Sequence, residues 1–158
     1  MSHLVLFVCT GNVCRSPMAA ALFNVRAQQR GEAQLYSARS AGTWGLDGEM
    51  ASAHAIQAMA ARGIDLTAHR GQTVTRELIE HAAVIIVMTR SHRDALVTEF
   101  PAARAKIHLM SELAERVYDI TDPYGGTLAE YEDCANALET LIDVGYEKIK
   151  SWILSPAH

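Results

Sequence analysis

Leu4-Val5-Leu6-Phe7-Val8-Cys9-Thr10-Gly11-Asn12-Val13-Cys14-Arg15-Ser16-Pro17 decides how this chain is read. The stretch opens on an unbroken apolar run, the pattern of a parallel strand buried on both faces. It closes on a helix start: serine suits the N-cap, and proline suits the first helical position, where its missing N–H would be unpaired anyway. Between them, Cys9 and Arg15 enclose five residues. A loop so placed can turn backbone N–H groups inward, with the positive end of a helix dipole behind it. Those conditions suit an anion such as phosphate. They also favour the thiolate form of Cys9. Arg15 offers a planar fork that grips two phosphate oxygens, which a lysine cannot copy. Gly11 is expected to admit a backbone geometry that a side chain would obstruct. A cysteine ending a strand is most often a small core residue. Here the strand, the glycine and the Ser16-Pro17 start together favour a nucleophile in an anion cradle. Thr10, Gly11, Asn12, Val13, Cys14 and Ser16 are then the phosphate-binding candidates around Cys9 and Arg15.

Outward from the loop, strand and helix patterns alternate. Residues 18–30 read as a helix closed by Gly31, and 35–41 as a weaker strand. A loop rich in glycine spans 42–50. An alanine-rich helix at 51–62 stops at Gly63, and a short helix at 75–81 precedes a second unbroken apolar strand at 82–88. A helix at 91–99 and a strand at 106–110 follow. Leu128, Tyr131, Ala135, Leu138, Ile142, Tyr146, Ile149 and Ile153 recur at three- and four-residue steps and mark a long amphipathic helix. This alternation predicts an α/β fold: a parallel sheet, doubly wound, with helices on both faces. Ligands in such sheets bind beyond the carboxyl ends of the strands, where the Cys9 loop lies. The pattern shows no repeat and no linker, so residues 1–158 are read as one domain.

Composition is that of a globular protein: 49% hydrophobic and 20% charged residues in 158. The net charge of −4, without a basic run, argues against nucleic-acid binding. The apolar run near the N-terminus is too short for a membrane span and lacks a signal-peptide pattern. Three cysteines do not make a disulfide framework, and a nucleophilic thiolate needs reducing surroundings, so a cytoplasmic location is expected. The seven histidines show no metal-ligand spacing, so neither a metal nor another cofactor is expected. His3, His54, His81, His92, His108 and His158 read as surface or packing residues. Asp122-Pro123-Tyr124-Gly125-Gly126 is a turn-rich stretch able to hold an acid over a pocket.

Val8-Cys9-Thr10-Gly11-Asn12-Val13-Cys14-Arg15-Ser16-Pro17-Met18-Ala19 resembles the signature of the low-molecular-weight protein tyrosine phosphatases. The likeness continues through Ser40-Ala41-Gly42-Thr43, Gly63-Ile64-Asp65 with His69, and the Asp122 stretch. It implies a flavodoxin-like three-layer sandwich with a four-stranded sheet. It also implies a hydrolase acting through a cysteinyl-phosphate intermediate. Cys9 is then the nucleophile, Arg15 the phosphate clamp and Asp122 the general acid. Asn12, Ser16, Ser40 and His69 match a polar network that holds the loop, with Ser16 also steadying the thiolate. Tyr124 and Trp44 fall on an aromatic rim. Cys14 matches a cysteine that traps the oxidised nucleophile as a disulfide. Cys134 reads as core.

The implied substrate is a phosphorylated protein or peptide, phosphotyrosine foremost, with phosphate and similar oxyanions as ligands and neither nucleic acid nor membrane as partner. Related protein arginine phosphatases share most of these motifs. They have threonine where this chain has Val13, and threonine also at Thr89, as do some other bacterial members, where many members have aspartate. Thioredoxin-linked arsenate reductases share them in part, but need two relay cysteines in mid-chain, and residues 15–133 contain none. A non-catalytic phosphate-binding module would be expected to lack Cys9 or Asp122, and both are present.

Overall fold

A computed structural model describes residues 2–155, so His158 lies outside the described residues. Its sheet is parallel and four-stranded, in the order β2-β1-β3-β4. The strands are β1 (His3–Cys9), β2 (Tyr36–Gly42), β3 (Val84–Val87) and β4 (Ile107–Leu109). The helices are α1 (Arg15–Gln29), α2 (Ala53–Ala60), α3 (Arg76–His81), α4 (Arg90–Glu99) and α5 (Leu128–Leu154). Two 3₁₀ turns, Pro101–Lys106 and Met110–Ala114, flank β4.

Side chains alternate across a strand, so an unbroken apolar run feeds two cores. Val5, Phe7 and Cys9 of β1, with Val84 and Ile86 of β3, pack under α1, α2 and α5. Leu4, Leu6 and Val8, with Ile85 and Val87, face the other way, against Leu78 and Ile79 of α3 and Leu96 of α4. Each large side chain so buried contributes about 1.5–3 kcal/mol. The periodic residues of α5 from Tyr131 to Ile153 lie in its buried stripe, and Thr127 starts that helix with a capping box shared with Glu130. Midway, α5 passes so close to the second 3₁₀ turn that a Cβ on Gly145 would lie 2.5 Å from Leu113 Cβ.

The outer edge of β2 is closed by side-chain amides and, at Gly42, by backbone bonds to Gln72 O and Val74 N. Asn24 Nδ2 donates to Ala38 O at 3.1 Å and its Oδ1 accepts from Ala38 N at 2.8 Å. Gln72 Nε2 donates to Ser40 O at 3.0 Å. An open edge would invite pairing with another chain. This closure also ties Gln72 to the sheet, which matters at the loop above it.

Two sequence expectations are corrected here. The first helix begins at Arg15 rather than at residue 18, and Ser16 is not its cap: Cys14 is the N-cap, with no side-chain capping bond. The Ser16 hydroxyl turns into the loop instead. Pro17 remains in the first turn, where its lost N–H costs nothing. Because β2 and β3 flank β1 on opposite sides, the chain reverses its winding at the carboxyl end of β1. Residues 9–15 occupy that point.

Candidate active site

The loop between β1 and α1 is held from beneath by one asparagine. Asn12 is fully buried and has φ 61°, a left-handed conformation that asparagine tolerates better than most residues. Its Nδ2 donates to Ser16 Oγ at 2.9 Å, and its Oδ1 accepts from Gln72 N at 2.9 Å. Its carbonyl accepts from His69 Nε2 at 2.7 Å. Burial lowers the His69 pKa below the ordinary histidine value, so the ring stays a neutral donor. The left-handed residue is therefore Asn12 and not Gly11, where an added Cβ would meet Leu46 and Val13 at ordinary contact, 3.7 Å. The glycine the loop requires is Gly42: a Cβ there would lie 2.2 Å from Thr10 O. Ser40 joins this network through its carbonyl, by way of Gln72.

Cys9 Sγ lies 2.9 Å from Ser16 Oγ. Ser16 already accepts from Asn12, so its single proton is available to the sulfur; the other acceptor, Ala41 O, is farther off at 3.4 Å. Arg15 is 4% exposed and is the first residue of α1. Its Nη1 donates to Ile120 O at 2.9 Å, its Nη2 lies 3.4 Å from Asp122 Oδ2, and its buried Nε has no hydrogen-bond partner. Asp122 is held by its own turn, with Tyr124 N donating to Oδ1 at 3.0 Å, and Gly126 N closing on Pro123 O at 2.8 Å. Thus the acid and the arginine expected from the sequence meet, though 107 positions separate them.

These residues line a cavity of about 270 Å³. Cys9 and Arg15 lie in it with Asp122 at one side, and Val13, Leu46, Trp44 and Tyr124 form an apolar mouth. Trp44 is 79% and Tyr124 62% exposed, consistent with a rim rather than a core. Leu46 was not legible as a site residue, since it sits in a glycine-rich loop of no fixed pattern. The Cys14 thiol faces away from solvent, 3.2 Å from Ser52 Oγ and 3.3 Å from Tyr131 OH, and burial raises its pKa. Burial likewise pushes the Cys134 thiol up to about 12. Thr89, the departure from the aspartate of many relatives, caps α4 by accepting from His92 N at 3.2 Å. His92 is 5% exposed and its Nε2 lies 2.8 Å from Thr10 Oγ1. It belongs to the site, which sequence reading missed.

Residues 4–151 match the family model of the low molecular weight phosphotyrosine protein phosphatases. The chain belongs to that family, and it is a phosphatase. It is 38% identical to a protein-arginine-phosphatase of Geobacillus stearothermophilus, over 96% of this chain and 99% of that protein. It is 33% identical to EpsP of Ralstonia nicotianae, a probable low molecular weight protein-tyrosine-phosphatase, over the same shares of the two chains. Among solved structures, a Cys-to-Ser variant of the YwlE arginine phosphatase with a phosphorylated active-site serine superposes with a TM-score of 0.87 at 34% identity. That match covers 93% of this chain and 95% of the other.

Burial, and next the positive charge of Arg15, lower the His92 pKa to about 4. An unfolded histidine titrates near 6.5, so between about pH 6.5 and 4 the unfolded chain binds more protons than the folded one. The stability this group contributes is fully present above about pH 6.5 and is lost as pH falls toward 4. His69 and His108, whose values are also lowered, act in the same direction. Melting temperature should therefore fall on acidification through that window. His92→Gln, which cannot ionise, should fall less steeply. An unchanged slope in His92→Gln would show that His92 titrates at its ordinary value.

Proposed function

We propose that this chain, as one phosphatase domain over residues 1–158, hydrolyses phosphotyrosine in proteins or peptides. The observation that carries the reading is an anion loop opening through an apolar mouth of Val13, Leu46, Trp44 and Tyr124. A flat aromatic ring buries itself favourably in such a mouth while its phosphate reaches the loop. The substrate phosphate, or a similar oxyanion, takes hydrogen bonds from the amides of Thr10 to Arg15 and from the Arg15 fork, whose buried Nε otherwise has no partner.

In the first step the Cys9 thiolate attacks phosphorus in line with the departing phenolic oxygen. The S–P bond forms, the P–O bond breaks, and Asp122 gives its proton to the leaving oxygen. In the second step Asp122, now a carboxylate, takes a proton from water, which attacks the cysteinyl-phosphate. Inorganic phosphate leaves and the Cys9 thiolate is restored. Ser16 stabilises that thiolate as it departs. The loop amides and Arg15 hold the equatorial oxygens, where charge concentrates in a loose transition state. The phosphorylated serine that replaces the cysteine in the YwlE variant supports a phosphoenzyme route. The reaction needs no metal. Among the described residues no helix is long and apolar enough to cross a membrane; a reducing cytoplasm is the location that suits a free thiolate.

A protein arginine phosphatase is the second reading. Thr89, the Gly125-Gly126 turn and the 38% identity to the Geobacillus protein favour it. Val13 favours tyrosine: valine has nearly the shape of threonine but offers a ring an apolar contact and a phosphoguanidinium no hydroxyl. Phosphotyrosine peptides should be turned over much faster than phosphoarginine peptides of matched sequence, and Val13→Thr should narrow the gap. Faster turnover of phosphoarginine by the parent enzyme would assign the chain to the second class.

Asp122→Asn should slow aryl phosphates with poor leaving groups by about 100-fold or more, and those with good leaving groups far less, because only the former need the proton. Equal losses across the series would remove Asp122 from the acid role.

Cys14 serves as the redox partner of Cys9. Peroxide converts Cys9 to the sulfenic acid, and the Cys14 thiol attacks it, expelling water and leaving a disulfide. Cys14 must give up its contacts with Ser52 and Tyr131 to do so. Mass spectrometry after brief peroxide treatment should find Cys9–Cys14 disulfide, and a thiol reductant should restore activity. Recovery of only sulfinic or sulfonic Cys9 would refute the pairing.

A further inference from the structure

Thr10 follows the nucleophile and lines the cavity, with its side chain largely exposed. Its carbonyl accepts from Trp44 N at 3.0 Å, and its hydroxyl meets the buried His92 ring at 2.8 Å. His92 reaches Thr10 from a different part of the sheet: it sits in the first turn of α4, after β3, where Thr89 caps the helix. The segments that follow β2 and β3 thus each hold the same loop residue.

The ring's hydrogen bonding is asymmetric. Nε2 is engaged with Thr10 Oγ1, whereas Nδ1 is buried with no partner. An orphaned buried N–H is rarer and more costly than an unused acceptor lone pair. The proton therefore belongs on Nε2, which donates to Thr10. A hydroxyl that accepts from histidine keeps its own proton for another partner, and Thr10 faces the cavity that holds Cys9, Arg15 and Asp122. A packing role for His92 would not call for a polar ring in a nearly sealed position beside the buried Arg15 cation, where its charged form is disfavoured.

We propose that His92 is a positioning residue for phosphoryl transfer, fixing Thr10 so that its hydroxyl proton points at the oxyanion in the loop. The inference rests on the reading of residues 9–15 as the phosphate cradle. Its effect is greatest where charge on the transferring oxygens is greatest, so it acts on the transition state more than on bound substrate. Glutamine can place a donor nitrogen near the Nε2 position; leucine cannot.

The test uses the full chain with an aryl phosphate as substrate, and orthovanadate and inorganic phosphate as inhibitors. His92→Leu should lower kcat about 10-fold, leave KM within about 2-fold, and weaken vanadate far more than phosphate. His92→Gln should regain most of the loss. Thr10→Val should match His92→Leu, Thr10→Ser, which keeps a hydroxyl, should regain most of that loss, and the double variant His92→Leu with Thr10→Val should lose no more than either alone. Should His92→Leu fail to fold, the Thr10→Val and Thr10→Ser pair carries the test. A kcat within 2-fold of the parent in Thr10→Val, losses that multiply in the double variant, or a change confined to KM would overturn the proposal. The cradle reading is tested separately: Cys9→Ser must abolish turnover, and a Cys9→Ser enzyme that still turns over would sink that reading whatever His92 does.

Discussion

A single buried asparagine fixes the shape on which the rest of the site depends. Asn12 stands at φ 61°, where most side chains are strained, and its side chain and carbonyl serve three partners from two different segments, the start of α1 and the loop before α3. Each bond to a buried polar group contributes only about 1 kcal/mol when made, but leaving that group unpaired costs about 1–3 kcal/mol. The network is therefore nearly all-or-none: losing one member leaves others buried and unsatisfied. Gln72 extends it to the edge of β2, so the strand's closure and the loop's shape are one arrangement. The loop is held both by the buried Val13 and Cys14 side chains and by polar groups beneath it that have no alternative partner.

Rigidity has an electrostatic purpose. Arg15 is a cation at 4% exposure, and a buried charge is costly unless paired and hydrogen-bonded. Its partners are incomplete: one carbonyl at 2.9 Å, one carboxylate at 3.4 Å on a half-exposed residue, and nothing at Nε. The under-satisfied guanidinium is a store of binding free energy for an oxyanion. The same arrangement explains why Asp122 rests on Arg15. The carboxylate partly neutralises the arginine, and in the proposed reaction an arriving dianion would compete for the fork and free the carboxyl to face the leaving group.

The layers of the fold were legible in the sequence because they follow from periodicity. The unbroken apolar runs at β1 and β3, and the three- and four-residue steps of α5, report burial directly. The loop was legible because Cys9, Gly11, Arg15 and Ser16 are adjacent in sequence. What stayed hidden depends on where distant segments approach. Ser16 reads locally as a helix cap, yet Asn12 and Cys9 claim its hydroxyl, a tertiary choice that overrides a local preference. Gly11 reads as the strained position, but the strain falls on Asn12 next to it and the steric need on Gly42, whose Cβ would strike Thr10 O. His92, Gln72 and Leu46 carry no signal of their own; each enters the site only because the order β2-β1-β3-β4 brings its segment to the end of β1.

That topology also bears on specificity. The residues of the proposed phosphate cradle lie at the end of β1, in the loop after it and at the start of α1, close to the sheet and fixed by it. The residues of the mouth come from two irregular segments, 43–47 and 122–126, anchored by bonds such as Leu46 N to Gly11 O at 2.9 Å, Gly45 N to Thr73 Oγ1, Thr73 Oγ1 to Asp47, and the Asp122 turn. Changes in the mouth alter what surrounds the leaving group without touching Asn12, Arg15 or Ser16. One cradle can therefore serve a phenolic or a guanidinium leaving group according to a few side chains at its rim. The presence of relatives named for arginine and for tyrosine at 38% and 33% identity is what such a division of labour produces. Val13 is the exception that couples the two layers. It is 5% exposed within the loop, yet it lines the cavity, so a change there alters the rim chemistry from inside the rigid part. On the proposed reading, substitution at that position would act on the substrate's first contact beyond the phosphate, where one hydroxyl gained or lost alters the fit of the leaving group.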